Sequence, residues 1–153
     1  MNDLTIGFIG FGLIGGSIAR ALKEVHPSFT LISYHYSNGQ IGKGLEDALK
    51  DHILDAVYDN IQEGFSSCDI IFLCAPVLSN ITYLAQLKEI IKPSCILTDV
   101  GSVKGNIHAI VNDLGLKRNF IGGHPMAGSE KTGYEHSHSK LLENAYYILT
   151  PTD

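Results

Sequence analysis

Six residues close to the amino terminus, Gly-Phe-Gly-Leu-Ile-Gly at positions 10–15, restrict the possible folds more than any other segment. They follow Leu4–Ile9, an apolar run of strand length, and lead into apolar residues at helical spacing, which are Ile14, Ile18, Leu22 and Val25. A G-x-G-x-x-G turn between a strand and a helix is typical of a loop that binds the pyrophosphate of a dinucleotide. An ordinary strand–turn–helix is the alternative, and the flanking segments favour the dinucleotide site.

Each glycine of this loop has its own expected role. The first permits a tight turn, the second lets a pyrophosphate approach the backbone, and the third, which Gly16 follows, lets the helix pack on the strand. The pyrophosphate then faces the unpaired N–H groups and the positive end of the helix dipole. The predicted cofactor contacts of the loop are Gly10, Phe11, Gly12, Leu13, Ile14 and Gly15.

Strand-like and helix-like segments alternate along the rest of the chain. Cys68–Pro76 is almost continuously apolar, which is typical of a parallel strand buried on both faces. The other predicted strands are Thr30–His35, Ala56–Tyr58, Cys95–Asp99, Asn119–Gly123 and Ala145–Thr150, and the predicted helices lie near Leu45–Leu49, from Ser79 as the cap to Ile91, and over Lys104–Leu114. We therefore predict an α/β fold, a doubly wound, mostly parallel Rossmann-type sheet with helices on both faces. The 153 residues, 44% of them hydrophobic, suffice for one such dinucleotide-binding domain over positions 1–153.

Charge, hydropathy and cysteine usage argue against several classes of protein. The net charge is −5 and Lys and Arg form no cluster, which argues against a nucleic-acid partner. No apolar run approaches the roughly 20 residues of a membrane span, and no basic residue precedes the first apolar run as in a secretory signal. The three cysteines show no C-x-x-C spacing, which predicts reduced thiols and a cytoplasmic protein. Glu135, His136 and His138 lack further ligands at a fixed spacing, so no metal site is predicted.

The end of the second predicted strand does not carry the carboxylate that commonly binds the ribose hydroxyls about 20 residues past a glycine loop. His35 stands there instead. Without a carboxylate nothing repels a ribose 2′-phosphate, which could receive hydrogen bonds from His35, Ser37, Asn38 or Lys43. These residues therefore do not decide whether the cofactor is NAD or NADP. The predicted contacts of the adenosine half are His35, Tyr36 and Ser37, with Tyr34 beside the adenine.

Four predicted strand ends carry the distinctive residues of this sequence. They are the glycine loop, Cys74–Pro76, Asp99–Lys104 and Gly123–Pro125. Ligands of open α/β sheets bind beyond the carboxyl ends of the strands, so we expect these four segments to meet around one crevice. Ala75 and Pro76 are predicted cofactor contacts, although a proline can also simply end a strand.

Ser102 and His124 fall on neighbouring strand ends in this arrangement. Oxidation of an alcohol carbon needs a base that accepts the hydroxyl proton as the hydride leaves, and a neutral imidazole suits that role near pH 7. We predict that His124 is this base and that Ser102 orients the imidazole or contacts the nicotinamide. A serine at position 102 can also act only as the cap of the helix near Lys104.

Five segments together resemble the prephenate dehydrogenase family, including its arogenate-using members. They occur in family order over essentially the whole chain and are GFGLIGGS, LCAP, TDVGSVKG, GGHPMAGSEKTG and ENAYYILTP. The resemblance implies NAD(P)-dependent oxidative decarboxylation of prephenate to 4-hydroxyphenylpyruvate in tyrosine biosynthesis. Hydride passes from the ring carbon that bears the hydroxyl to the nicotinamide, and carbon dioxide leaves as the ring becomes aromatic.

The resemblance also implies roles for individual residues. His124 hydrogen-bonds the substrate hydroxyl and draws its proton, and Ser102 positions His124 and the substrate. Ser129 and Glu130 lie in the loop that borders the substrate pocket in the family. NAD is the favoured cofactor on family grounds, and His35 departs from the acidic residue common in NAD-using members.

The family continues beyond its cofactor domain into a helical domain that forms a homodimer and supplies an arginine for the substrate carboxylate. The sequence ends at Asp153, and the resemblance therefore implies that it is the cofactor-binding part, able to bind dinucleotide but with little turnover of its own. Two alternatives stay open. One is a dehydrogenase of arogenate or another cyclohexadienyl acid, and the other is a non-catalytic dinucleotide-binding module.

Overall fold

A seven-stranded sheet forms the centre of the computed structural model, which describes residues 3–35 and 39–152. The strand order is β3-β2-β1-β4-β5-β6-β7. The first six strands are parallel, and β7 runs antiparallel to β6. The strands are β1 Thr5–Ile9, β2 Thr30–Tyr34, β3 Ala56–Tyr58, β4 Ile70–Leu73, β5 Ile96–Asp99, β6 Phe120–Pro125 and β7 Tyr147–Pro151.

Helices cover both faces of this sheet because alternate residues of each strand point to opposite sides. They are α1 Leu13–Val25, α2 Lys43–Lys50, α3 Ile61–Phe65, α4 Val77–Lys88 and α5 Gly105–Asp113. On one face α1 and α2 pack on Ile6, Phe8 and Leu31. On the other, α3, α4 and α5 pack on Ile71, Leu73 and Leu97. The doubly wound, mostly parallel fold expected from the sequence is confirmed.

Several local predictions differ from the structure. Helix α4 begins at Val77 with Pro76 as its N-cap, so Ser79 lies in the first turn and is not the cap. A proline serves at this boundary because its missing N–H would find no partner within the helix. Helix α3 was not predicted, since five residues are too few to show a helical period. Helix α5 starts at Gly105, one residue later than expected.

The face beside α1 is only partly covered, which corrects the expectation that the fourth strand is buried on both sides. Ile70 and Phe72 are half-buried, and Ile96 and Leu149 are 46% and 57% exposed. Together with α1 they line an apolar groove of about 540 Å³. In the described ranges, no helix has the length and apolar character needed to cross a bilayer.

Candidate functional site

The glycine loop between β1 and α1 has the geometry that its spacing predicts. Gly10 has a φ of +86°, and a Cβ atom there would overlap the Ala75 backbone. A Cβ on Gly15 would lie 2.9 Å from the Gly10 carbonyl oxygen, so the third glycine allows the close packing of α1. A Cβ on Gly12 would meet no atom within 4 Å. Gly12 therefore leaves open space where a ligand can approach the backbone.

The first turn of α1 is available to an anion. Its N-cap is Gly12, no side chain caps its N–H groups, and no acidic residue lies in its first turn. Leu13 and Ile14 form that first turn and are half-buried. Unpaired N–H groups and the helix dipole favour negative charge at such an end.

A cavity of about 380 Å³ adjoins the glycine loop and extends to the end of β2. Its lining includes Phe11, Tyr34, His35, Ala75, Ser79 and Tyr83. The rings of Tyr34 and Tyr83 meet edge to face with their centroids 5.4 Å apart. This partly aromatic hollow lies at the end of β2, where the sequence predicts the adenosine half, and that assignment stays a prediction. Pro76 is exposed and is not among the lining residues, and the predicted contacts Tyr36, Ser37 and Asn38 fall outside the described residues.

A carboxylate that the sequence reading missed lies beside His35. A second hollow of about 260 Å³ is lined by His35, Tyr58 and Asp59, among others. The His35 N–H donates to the Tyr58 carbonyl oxygen at 2.8 Å, which sets the ends of β2 and β3 side by side. The His35 Nε2 atom lies 2.7 Å from the Gln40 carbonyl oxygen. Asp59 follows β3, which has only three residues, and no sequence motif marks it as a cofactor contact.

Asp99 and Lys104 form a buried ion pair between the ends of β5 and β6. The Asp99 side chain is fully buried, and its Oδ2 atom accepts from Lys104 Nζ at 2.7 Å. Oδ2 also accepts from the Gly101 backbone N–H at 3.1 Å, and Oδ1 accepts from the Gly123 backbone N–H at 3.2 Å. Lys104 Nζ further donates to the carbonyl oxygens of Gly101 and Gly123. This ion pair therefore links the TDVGSVK and GGH segments of the sequence.

Gly122 and Gly123 pack closely beside this ion pair, and neither position has free space for a Cβ atom. A Cβ on Gly122 would lie 3.1 Å from Lys104 Cδ, and one on Gly123 would lie 2.6 Å from the Asp99 carbonyl oxygen. The Tyr147 ring of β7 also packs on Gly123, and burial raises the pKa of its hydroxyl to about 12. The hydroxyl is therefore protonated at neutral pH.

His124 and Ser102 lie at the same edge of the sheet, as predicted. His124 is half-buried near the end of β6, directly after Gly123, and pairs with Ile148 of β7. Ser102 is exposed in the loop between Asp99 and Lys104. The N-cap of α5 is Lys104 and has no side-chain cap, so the interpretation of Ser102 as a cap is wrong. Among the described residues no hydrogen bond joins the Ser102 hydroxyl to the His124 imidazole, and the orienting role stays a prediction.

Ser129 and Glu130 are exposed in the loop that follows β6. The Ser129 hydroxyl accepts from the Lys131 backbone N–H at 3.0 Å, which shapes the turn. The loop is fixed beyond this point by Tyr134, which is 2% exposed and stacks on Phe11 with ring centroids 5.5 Å apart. The chain thus returns to the glycine loop after leaving His124.

Tyr134 is a second residue that the sequence reading missed. Its hydroxyl donates to Asp51 at 2.8 Å, and the Arg20 guanidinium lies 4.4 Å from its ring centroid. Burial and the Asp51 carboxylate raise the pKa of Tyr134. A lone tyrosine in an unpatterned segment gives no sequence signal of such an anchor.

The cysteines do not offer a nucleophile at this edge. Burial raises the pKa of the Cys68 thiol to about 12 and that of Cys95 to about 11, and it also raises the pKa of Cys74. All three are free thiols. Glu135, His136 and His138 are exposed, and no cluster of three potential metal ligands occurs in the described ranges.

The sequence matches a known protein family. The family model for the nucleotide-binding domain of prephenate dehydrogenase matches residues 18–153. The chain belongs to this family. A prephenate dehydrogenase of Lactococcus lactis subsp. cremoris is 40% identical over 146 residues, which are 93% of this chain and 39% of that protein. The chain thus spans well under half the length of this curated relative.

Solved structures agree with the family assignment. Prephenate dehydrogenase from Aquifex aeolicus, in complex with hydroxyphenyl propionate and NAD+, has a TM-score of 0.87 at 29% identity, covering 100% of this chain and 52% of that one. Synechocystis arogenate dehydrogenase has a TM-score of 0.85 at 33% identity, covering 98% and 51%. The prephenate dehydrogenase relationship proposed from the sequence motifs is confirmed.

Proposed function

We propose that this chain is the nucleotide-binding domain of an NAD-dependent prephenate dehydrogenase. The observation that carries the proposal is the position of His124 in a chain of this family. It follows Gly123, which the Asp99–Lys104 pair holds at the sheet edge that also carries the glycine loop. The remaining length of the relatives, about half or more, supports a further domain that completes the substrate site.

The described residues fit a dinucleotide. Gly12 offers open backbone, the first turn of α1 offers unpaired N–H groups, and the hollow beside Tyr34 and Tyr83 accommodates adenosine. NAD, when bound, supplies the hydride acceptor. NAD+ in the Aquifex relative supports this choice of cofactor.

The chain's own residues then handle the substrate proton. The His124 imidazole accepts the hydroxyl proton as the carbinol carbon loses hydride, and loss of the ring carboxylate as carbon dioxide completes the aromatic ring. Ser102 hydrogen-bonds the substrate or the imidazole from the neighbouring strand end. Ser129 and Glu130 border the substrate pocket from the loop after β6.

Assay of the full-length protein with NAD and either prephenate or arogenate tests this function. Formation of NADH together with carbon dioxide from prephenate is the expected result. The similarity to Synechocystis arogenate dehydrogenase favours arogenate as the second candidate substrate. Oxidation of neither compound contradicts both assignments and leaves a non-catalytic dinucleotide-binding module.

Substitution of Gly12 by alanine tests the pyrophosphate site separately from the fold. The new Cβ meets no protein atom, so stability should change by less than about 1 kcal/mol. The methyl group projects into the ligand space, so NADH affinity should fall roughly tenfold or more. Fluorescence titration with NADH measures this change in affinity. Gly105→Ala, whose Cβ also meets nothing within 4 Å, is the matched control, and an equal affinity loss there would contradict the site.

Asp59 is expected to favour NAD over NADP. Its carboxylate shares a hollow with His35 and would repel a ribose 2′-phosphate. The full-length protein should bind NADH roughly tenfold or more tightly than NADPH, and Asp59→Asn should narrow that ratio. Glu63→Gln removes the same charge from α3 and should leave the ratio unchanged. Comparable affinities of the unaltered protein for both cofactors would show that neither Asp59 nor His35 discriminates.

A further inference from the structure

The backbone ladder between β5 and β6 ends before the residues of the site. Its last paired residues are Thr98 and Ile121. Ser102 and His124 lie three to four positions further along, where the strand ends no longer pair with each other. Hydrogen bonds of the sheet therefore do not fix the distance between these two residues.

The side chains of Asp99 and Lys104 replace the ladder at this point. Asp99 accepts the Gly123 N–H, and Lys104 Nζ donates to the Gly123 carbonyl oxygen, so both polar groups of the residue before His124 are bound. The same two side chains bind the N–H and the carbonyl oxygen of Gly101, the residue before Ser102. One buried ion pair thus holds the backbone next to both site residues.

Lys104 has no donor left for a ligand in this arrangement. An ammonium group has three N–H donors, and those of Lys104 go to Asp99, Gly101 and Gly123. A cation at a dinucleotide site commonly contacts a phosphate or a substrate carboxylate. The Lys104 ammonium instead binds the Asp99 carboxylate and two backbone carbonyl oxygens.

We propose that Asp99 and Lys104 are positioning residues, which fix His124 relative to Ser102 through the backbone of Gly123 and Gly101. The proposal rests on the function assigned above to His124. Displacement of a reacting group by about 1 Å can cost on the order of 100-fold in rate. Loss of the pair should therefore reduce turnover although neither residue touches the substrate.

Comparison of Lys104→Met with Lys92→Met in the full-length protein tests this. Lys92 bonds Asp69 at 2.6 Å, and these residues precede β5 and β4, so the control breaks an ion pair at the opposite edge of the sheet. Lys104→Met should lower kcat roughly 10- to 100-fold with a smaller change in the KM for prephenate. Lys92→Met should leave kcat within about twofold. Equal kcat values for the two variants would overturn the proposal.

Hydrogen exchange provides a readout that does not depend on catalysis. The amides of the peptide over 121–125 should exchange faster in Lys104→Met than in Lys92→Met, because Gly123 loses a bond to its carbonyl oxygen. Unchanged exchange there would contradict the proposal even if prephenate proved not to be the substrate. If prephenate is not oxidised but exchange rises, the assigned function fails while the role of the pair stands.

Asp99→Asn provides a second variant if Lys104→Met does not fold. The amide keeps an oxygen that can accept the Gly123 N–H, but it removes the charge that pairs with Lys104. An intermediate loss of kcat and an intermediate rise in exchange over 121–125 are expected. Full activity with unaltered exchange would overturn the proposal.

Discussion

Replacement of His124 by asparagine in the full-length protein should lower kcat for prephenate about 10²- to 10⁴-fold. The amide can still hydrogen-bond the substrate hydroxyl, but it cannot accept its proton. The glycine loop and the hollow beside Tyr34 contain no part of His124, so the affinity for NADH should stay within about twofold. Steady-state kinetics and NADH titration on the same preparation measure the two effects.

His138→Asn is the matched control for this substitution. His138 is exposed, and its backbone N–H donates to the Ser17 hydroxyl at 3.1 Å, a bond that the substitution keeps. The control should retain full turnover. A His124→Asn protein with unaltered function would instead support the non-catalytic dinucleotide-binding module.

The parts of the fold that sequence patterns predicted are those set by local chemistry. The glycine loop is the clearest, because its three fixed positions correspond to a positive φ at Gly10, open space at Gly12 and close packing at Gly15. Apolar runs and periodicities predicted the strands and most helices for a similar reason. A buried face requires apolar side chains at the period of its element. Ser102 and His124 could be assigned to one edge because parallel strands end on the same side.

The residues that the sequence did not reveal act through contacts between distant segments. Tyr134 binds Asp51 across 83 positions and fixes the loop after His124. Asp59 and His35 line the same hollow because β2 and β3 are neighbours in the sheet. The pairing of Asp99 with Lys104 depends on where the helix α5 begins, which the sequence placed one residue too early. Local patterns contain no information on such partners.

Removal of the Asp99 carboxylate by alanine should destabilise the 153-residue chain by about 3–5 kcal/mol. The substitution leaves the Lys104 ammonium, 15% exposed, without its counter-ion and leaves the Gly101 and Gly123 N–H groups without an acceptor. Lys104→Met should cost a similar amount, and the double variant should cost about 0.5–3 kcal/mol less than the sum, because the second change removes the orphaned charge. Urea unfolding measures all three. Lys43→Ala, which breaks an exposed ion pair with Asp47, should cost far less than either of these single changes. An Asp99→Ala cost as small as that would mean that the buried pair contributes little to holding β5 and β6 together.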